Sequence, residues 1–105
     1  MRILLDNCVP RKLARLIPGH TVRTAVEERL AHLSDKALLD AMAGKFDALI
    51  TVDRGIEHQQ NMTGRAIVVG LIMAKSNSIG ALAPHVDELV RRLEGASPGM
   101  IVTVP

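Results

Sequence analysis

Asp6 ends the apolar run Ile3-Leu4-Leu5, and Asp53 ends the longer run Ala48-Leu49-Ile50-Thr51-Val52. A short apolar run closed by a polar residue has the pattern of a strand buried on both faces. Both carboxylates are therefore expected at the carboxyl ends of strands. In an open α/β sheet, ligands bind just outside that edge, where the strand order reverses. If the order is 2-1-3-4-5, the first and third strands are neighbours and the two carboxylates meet. Two carboxylates in a partly desolvated crevice repel, and a shared proton or an intervening cation relieves the repulsion. Oxygen-only ligands suit Mg²⁺ or Mn²⁺, the usual ions of phosphate chemistry. Taken singly, each Asp has a structural alternative, in which it ends its strand and caps the next turn.

Further polar residues fall near the same edge. Asp35 follows Ser34, a favoured N-cap type, and could point toward the crevice, although an acid in a first helical turn is also stabilised by the helix dipole. The stretch 53–61 is strongly polar. A helical turn there would bring Glu57 one turn beyond Asp53, with His58 beside it; a solvated loop is the alternative. Arg11, Lys12 and Arg15 lie just after Asp6, with Arg11 and Arg15 one helical turn apart. Such a basic face can hold a nucleic-acid backbone, or simply be solvated. Other chemistries lack their residues. Cys8 is the single cysteine, the four histidines (His20, His32, His58, His85) show no metal-ligand spacing, and no glycine-rich phosphate loop is present.

The elements that must position these residues follow from hydrophobic periodicity. Runs at 3–5, 48–52 and 66–72 predict buried strands, and the alternating stretches 20–23 and 100–104 suit edge strands. Between them, Leu13, Leu16 and Ile17 predict a helix begun by Pro10 and stopped by Pro18-Gly19. Val26, Leu30 and Leu33 form a shorter stripe. Ser34 opens a helix with Leu38, Ala41 and Met42 inward, ending at Gly44. Val86, Leu89, Val90 and Leu93 make the clearest apolar face, supported by Asp87–Arg91 and Glu88–Arg92 pairs. Strands alternating with helices predict right-handed βα crossovers and a mostly parallel five-stranded sheet covered on both faces, in one domain spanning residues 1–105.

Composition bounds the partners. Of the 105 residues, 48% are hydrophobic and 23% charged, which describes a folded globular chain. Phe46 is the single aromatic residue. The chain therefore lacks the platforms on which RRM or cold-shock proteins stack bases. The formal net charge of +2 permits an anionic partner without demanding one. A lone cysteine excludes an internal disulfide and fits a cytoplasmic protein. The first residues lack the apolar stretch of a signal peptide, and the longest apolar run, 66–74, is too short to cross a membrane.

Read in order, Met1-Arg2-Ile3-Leu4-Leu5-Asp6-Asn7, Gly19-His20-x-Val22, Ser34-Asp35 and Leu49-Ile50-Thr51-Val52-Asp53-Arg54-Gly55 resemble the short bacterial PIN-like proteins. These are compact relatives of the PIN-domain nucleases found among the toxins of toxin-antitoxin pairs. The resemblance runs over essentially the whole chain. It implies a three-layer α/β/α sandwich and a Mg²⁺- or Mn²⁺-dependent ribonuclease site built from Asp6, Asp35 and Asp53. Asp6 and Asp53 would hold the metal directly, and Asp35 would ligate it or orient its water. Arg11, Lys12 and Arg54 would contact phosphate. RNA is then the substrate, with room for a cognate antitoxin protein and for a homodimer. Many relatives carry further acids where this chain has Asn7 and Gly55, which leaves Glu57 as the candidate additional ligand. Two readings from other classes stand beside this one. The first is a catalytically inert PIN-like binding or assembly module. The second is a receiver-type phosphoacceptor domain, which would need an acid at position 7 and a lysine ending the last strand.

Overall fold

The apolar runs form a five-stranded sheet: β1 (Arg2–Leu5), β2 (Thr21–Thr24), β3 (Ala48–Thr51), β4 (Val68–Ile72) and β5 (Ile101–Val104). The computed structural model describes residues 1–59 and 61–105, excluding the side chains of His58 and Gln59. The strand order is β2-β1-β3-β4-β5, and every neighbouring pair is parallel. The pleat sends alternate residues to opposite faces. Ile3, Leu5, Ala48, Ile50, Val68 and Ile72 face one way and pack under Leu13, Ile17, Leu82, Leu89 and Leu93. Leu4, Leu49 and Val69 face the other way, under Leu38, Leu39, Met42, Phe46 and Ile56. Helices on both faces of a parallel sheet make a three-layer α/β/α sandwich. Each fully buried Leu or Ile in these layers contributes roughly 1.5–3 kcal/mol relative to exposure. β3 and β4 are buried throughout, whereas β2 and β5 are partly exposed, as edge strands are.

Two helices form as their sequence signals require. α1 (Asp35–Met42) begins at Ser34, whose hydroxyl accepts the Ala37 N–H at 3.4 Å, and buries Leu38, Leu39 and Met42. A second short helix, α2 (Gly55–Gln59), follows Asp53. Between β4 and β5 come α3 (Ile79–Leu82), a 3₁₀ turn at Ala83–His85, and α4 (Val86–Gly95), of which only the last has a clear periodic signature. On α4, Glu88 pairs with Arg92 at 3.0 Å. Arg91 lies 3.9 Å from Glu88, an i,i+3 contact in place of the expected pairing with Asp87.

Three expectations change. Residues 11–17 form no α-helix but a 3₁₀ helix, Arg11–Leu16, with Leu13 buried and Leu16 37% exposed. The segment has to run back along a four-residue strand of about 13 Å. Six residues cover about 12 Å in a 3₁₀ helix but only about 9 Å in an α-helix, so the looser rise fits the return. The Val26, Leu30 and Leu33 stripe is a series of turns, with Val26 65% exposed. Thr24 and Glu27 do form a reciprocal capping box: the Glu27 N–H donates to the Thr24 hydroxyl at 3.1 Å, and the Thr24 N–H to the Glu27 carboxylate at 2.9 Å. The chain leaves the helical path one turn later, where Arg29 adopts φ +60°.

The third change concerns handedness. The 3₁₀ helix between β1 and β2, and α4 between β4 and β5, cover the same face of the sheet. The two connections step along the sheet in opposite directions, so their hands are opposite and one departs from the right-handed rule. The β4–β5 connection, residues 73–100, is long enough to pass α3 against the 3₁₀ helix before α4 doubles back over β4. Gly70 permits that return. A Cβ there would lie 3.0 Å from Leu89 Cδ1 and 3.2 Å from Leu93 Cδ2.

Candidate active site

The register Leu5↔Ile50 sets the ends of β1 and β3 side by side. The Asp6 N–H continues the ladder by donating to the Ile50 carbonyl at 2.9 Å. Asp6 consequently lies next to Thr51, the last residue of β3, whose side chain is fully buried. The Thr51 hydroxyl donates to Asp6 Oδ2 at 2.7 Å and accepts the Asp53 N–H at 3.0 Å. One buried hydroxyl thus couples the two strand-end aspartates. Asp6 Oδ1 accepts the Asn7 N–H at 2.7 Å, and the Cys8 thiol lies 3.7 Å from Asp6 Oδ2 and 3.6 Å from Thr51 Oγ1. Burial, more than any other influence, pushes the Cys8 thiol up, so at neutral pH it is a neutral group beside Asp6. Asp53 Oδ1 accepts the Gly55 N–H at 2.9 Å, the turn that starts α2.

Asp35 arrives from a third segment. α1 crosses the opposite face from the 3₁₀ helix and returns the chain from β2 to β3, so its first residue sits at the carboxyl edge of the sheet. The Asp35 carboxyl is pushed above its ordinary value, first by burial, then by the charge of Asp53, with which it is close enough to share a hydrogen bond, and then by the charge of Asp6. Asp35, at the start of a helix, thus lies within electrostatic reach of both strand-end aspartates, Asp53 and Asp6.

The other candidates are placed differently. Glu57 is exposed on α2, and the charges that act on Asp35 are those of Asp53 and Asp6, without Glu57. The side chain of His58 lies outside the described residues. Arg54 is exposed beside Asp53. Arg11 and Lys12 line a cavity of about 580 Å³ whose wall also includes Asp6, Asn7 and Arg15. Thr51 is the site residue that sequence reasoning passes over. Its only signal was a hydroxyl two residues before Asp53, and its role depends on strand register.

Asp6, Asp35 and Asp53 are the residues that would hold a hard cation at this edge, and they would have to draw closer to do so. Asp6 Oδ1 accepts one hydrogen bond and retains a second lone pair, while Oδ2 is met by both the Thr51 hydroxyl and the Cys8 thiol; Asp35 is raised by burial first and then by charge repulsion, and a positive ion removes the second. Among the described residues, no three His, Cys, Asp or Glu side chains are placed so that together they hold a metal ion. A loose all-oxygen set matches an ion that keeps several of its waters, such as Mg²⁺, better than it matches tetrahedral zinc. No protein-family model matches the chain, and no curated protein or solved structure is significantly similar to it.

Proposed function

We propose that this chain is a PIN-like ribonuclease that hydrolyses RNA phosphodiesters with Mg²⁺ or Mn²⁺ at Asp6, Asp35 and Asp53. The observation that supports this reading is the gathering of three carboxylates from separate segments at one edge of the sheet, with Asp35 raised first by burial and then by the charges of Asp53 and Asp6. A fold gains nothing from such repulsion unless a cation or a proton offsets it. Asp6 and Asp53 would hold the ion directly, and Asp35 would ligate it or orient its water. Bound there, a divalent ion supplies Lewis acidity toward a phosphate oxygen and lowers the pKa of water. The chain's own groups do the positioning. Thr51 locks the Asp6 carboxylate through its 2.7 Å hydrogen bond, the Gly55 N–H holds Asp53, and Arg11, Lys12 and Arg54 meet the negative charge of the RNA backbone. The toxin role in a cytoplasmic toxin-antitoxin pair, with an antitoxin protein as partner, belongs to the same proposal.

The test is Mn²⁺-dependent cleavage of single-stranded RNA by the wild type and by Asp6→Asn and Asp53→Asn, with circular dichroism to verify folding. Each substitution should lower cleavage by about two orders of magnitude or more with the spectrum unchanged, as for loss of a group that stabilises transition-state charge. Cleavage at the wild-type rate by Asp6→Asn would overturn the assignment. The position of Glu57 outside the cluster favours one second reading, an inert PIN-like binding module. A calorimetric titration that finds no Mn²⁺ binding at millimolar concentration would favour that module.

A further inference from the structure

The cavity beside Asp6 has a composition that the carboxylate cluster does not explain. One wall is the 3₁₀ helix, which presents Arg11, Lys12 and Arg15; the opposite wall is the turn after β2, which presents Ala25, Val26 and Glu27. Among the described residues, none of the three cations forms an ion pair with a carboxylate, whereas Arg2, Arg23, Lys36, Arg65, Arg91 and Arg92 all do. The acid facing them, Glu27, is already engaged. It accepts the Thr24 N–H at 2.9 Å and lies 3.3 Å from Arg23. Three cations thus line a concave space without an ion pair of their own, although Asp6 and Glu27 share the wall and Arg11 acts on Glu27 by its charge. They could meet a phosphate with the forked donors of two guanidiniums and the point charge of a lysine.

The cavity also has an apolar side. Val26 is 65% exposed, the most exposed of the large hydrophobic residues, and together with the partly buried Ala14 it offers a shallow aliphatic surface, with Ala25 buried beneath it. Asn7 on the rim carries both a donor and an acceptor that no described side-chain contact uses. A volume of about 580 Å³ lies in the range of small-ligand sites. A clustered positive charge, a flat apolar wall and one amide on the rim together match a phosphate attached to a nucleoside.

We infer that this cavity binds a nucleoside phosphate unit, its phosphate on Arg11, Lys12 and Arg15 and its nucleoside against Ala14 and Val26. Because Asp6 belongs both to the cavity wall and to the carboxylate cluster, the unit held there is the one flanking the phosphodiester at Asp6. Only that last placement rests on the ribonuclease reading. An acidic peptide would satisfy the cations but would leave the apolar wall and Asn7 unused.

The experiment reads binding without metal and without cleavage, so its failure is separable from failure of the nuclease assignment. Adenosine and cytidine 5′-monophosphates, inorganic phosphate, a trinucleotide RNA and a glutamate-rich peptide are titrated in EDTA. The proteins are the wild type, Arg91→Ala, Lys12→Ala/Arg15→Ala and Val26→Asp, each verified by its melting transition. The expected result is equal nucleotide binding by the wild type and Arg91→Ala, an exposed cation outside the cavity, at least a tenfold loss in the Lys12/Arg15 double variant and in Val26→Asp, and inorganic phosphate weaker than the nucleotides by tenfold or more. A trinucleotide tighter than the monophosphates identifies an RNA strand as the source. A trinucleotide no tighter identifies a free nucleotide and overturns the placement beside the phosphodiester. Absence of nucleotide binding, binding unaffected by the substitutions, or tighter binding of the acidic peptide would overturn the proposal.

Discussion

Carboxylates whose proton affinity rises on folding act against stability at neutral pH, and those whose affinity falls act for it. Asp35 is of the first kind. Folded, it keeps its proton to higher pH than unfolded, so stability falls as pH rises from the ordinary Asp range near about 3.9 through the raised folded value, and the loss persists above it. Asp35→Asn should therefore melt higher than the wild type at pH 7 and the same at pH 3. The gain is a few degrees at most, because screening at a partly exposed site keeps the effect within about 1 kcal/mol. A series of thermal melts against pH checks this, and equal melting at pH 7 would remove the repulsion argument. If the cluster holds a cation, millimolar Mn²⁺ should raise the wild-type melting temperature more than that of Asp35→Asn. Thr51 offers the complementary test. Thr51→Val keeps the shape but leaves Asp6 Oδ2 and the Asp53 N–H without their shared hydroxyl, at a cost of about 1–3 kcal/mol by denaturant titration, whereas Thr51→Ser should lose much less.

Among the elements, the helices legible in the sequence are the ones whose signals are redundant. α4 has an apolar stripe, acids first, arginines last and a following glycine, and α1 has a capping serine and inward Leu38 and Met42. The apolar spacing of Leu13, Leu16 and Ile17 predicts an α-helix where a 3₁₀ helix forms, because such spacing does not reveal the distance a connection must span. The turns at 25–29 carry a genuine capping box, so the local start signal was present and the continuation was not. α4 also depends on one residue of the strand beneath it. Gly70→Ala should destabilise the fold by about 1–3 kcal/mol through overpacking against Leu89 and Leu93. Combining it with Leu89→Val should cost less than the sum of the two single changes, since the shortened side chain vacates the space the methyl needs. Strict additivity in a double-mutant cycle would show that α4 does not seat on β4 at this point.

Across the whole molecule, the two edges of the sheet carry opposite electrostatic arrangements. At the amino edge, the Asp47 carboxylate accepts the Arg2 N–H at 2.7 Å and meets its guanidinium at 3.2 Å, and these contacts, the backbone one first, hold it below the usual carboxylate range. Its contribution is present above the unfolded carboxylate pKa and disappears as pH falls through the depressed folded value. Asp47→Asn should be less stable than the wild type at pH 7, by up to about 1 kcal/mol after allowance for solvent screening, and the two should converge below about pH 3. An unchanged melting temperature at pH 7 would show that the pair contributes nothing. At the carboxyl edge the carboxylates repel one another instead. Stabilising charge and candidate chemistry thus occupy opposite ends of the strands.

By itself the sequence determined the sheet, its two edge strands, two of its helices and the placement of Asp6 and Asp53 at strand ends. Those follow from local periodicity, because burial on both faces requires unbroken apolar runs and a run must end where the chain meets solvent. Tertiary structure decided what depends on distance through space. It brought Asp35 to the other two aspartates by the return of α1, set Thr51 between Asp6 and Asp53 by strand register, left Glu57 aside, and faced Arg11, Lys12 and Arg15 across a cavity from Val26. None of these relations has a period in the chain, since each joins residues whose separation is set by packing and not by the repeat of a helix or strand.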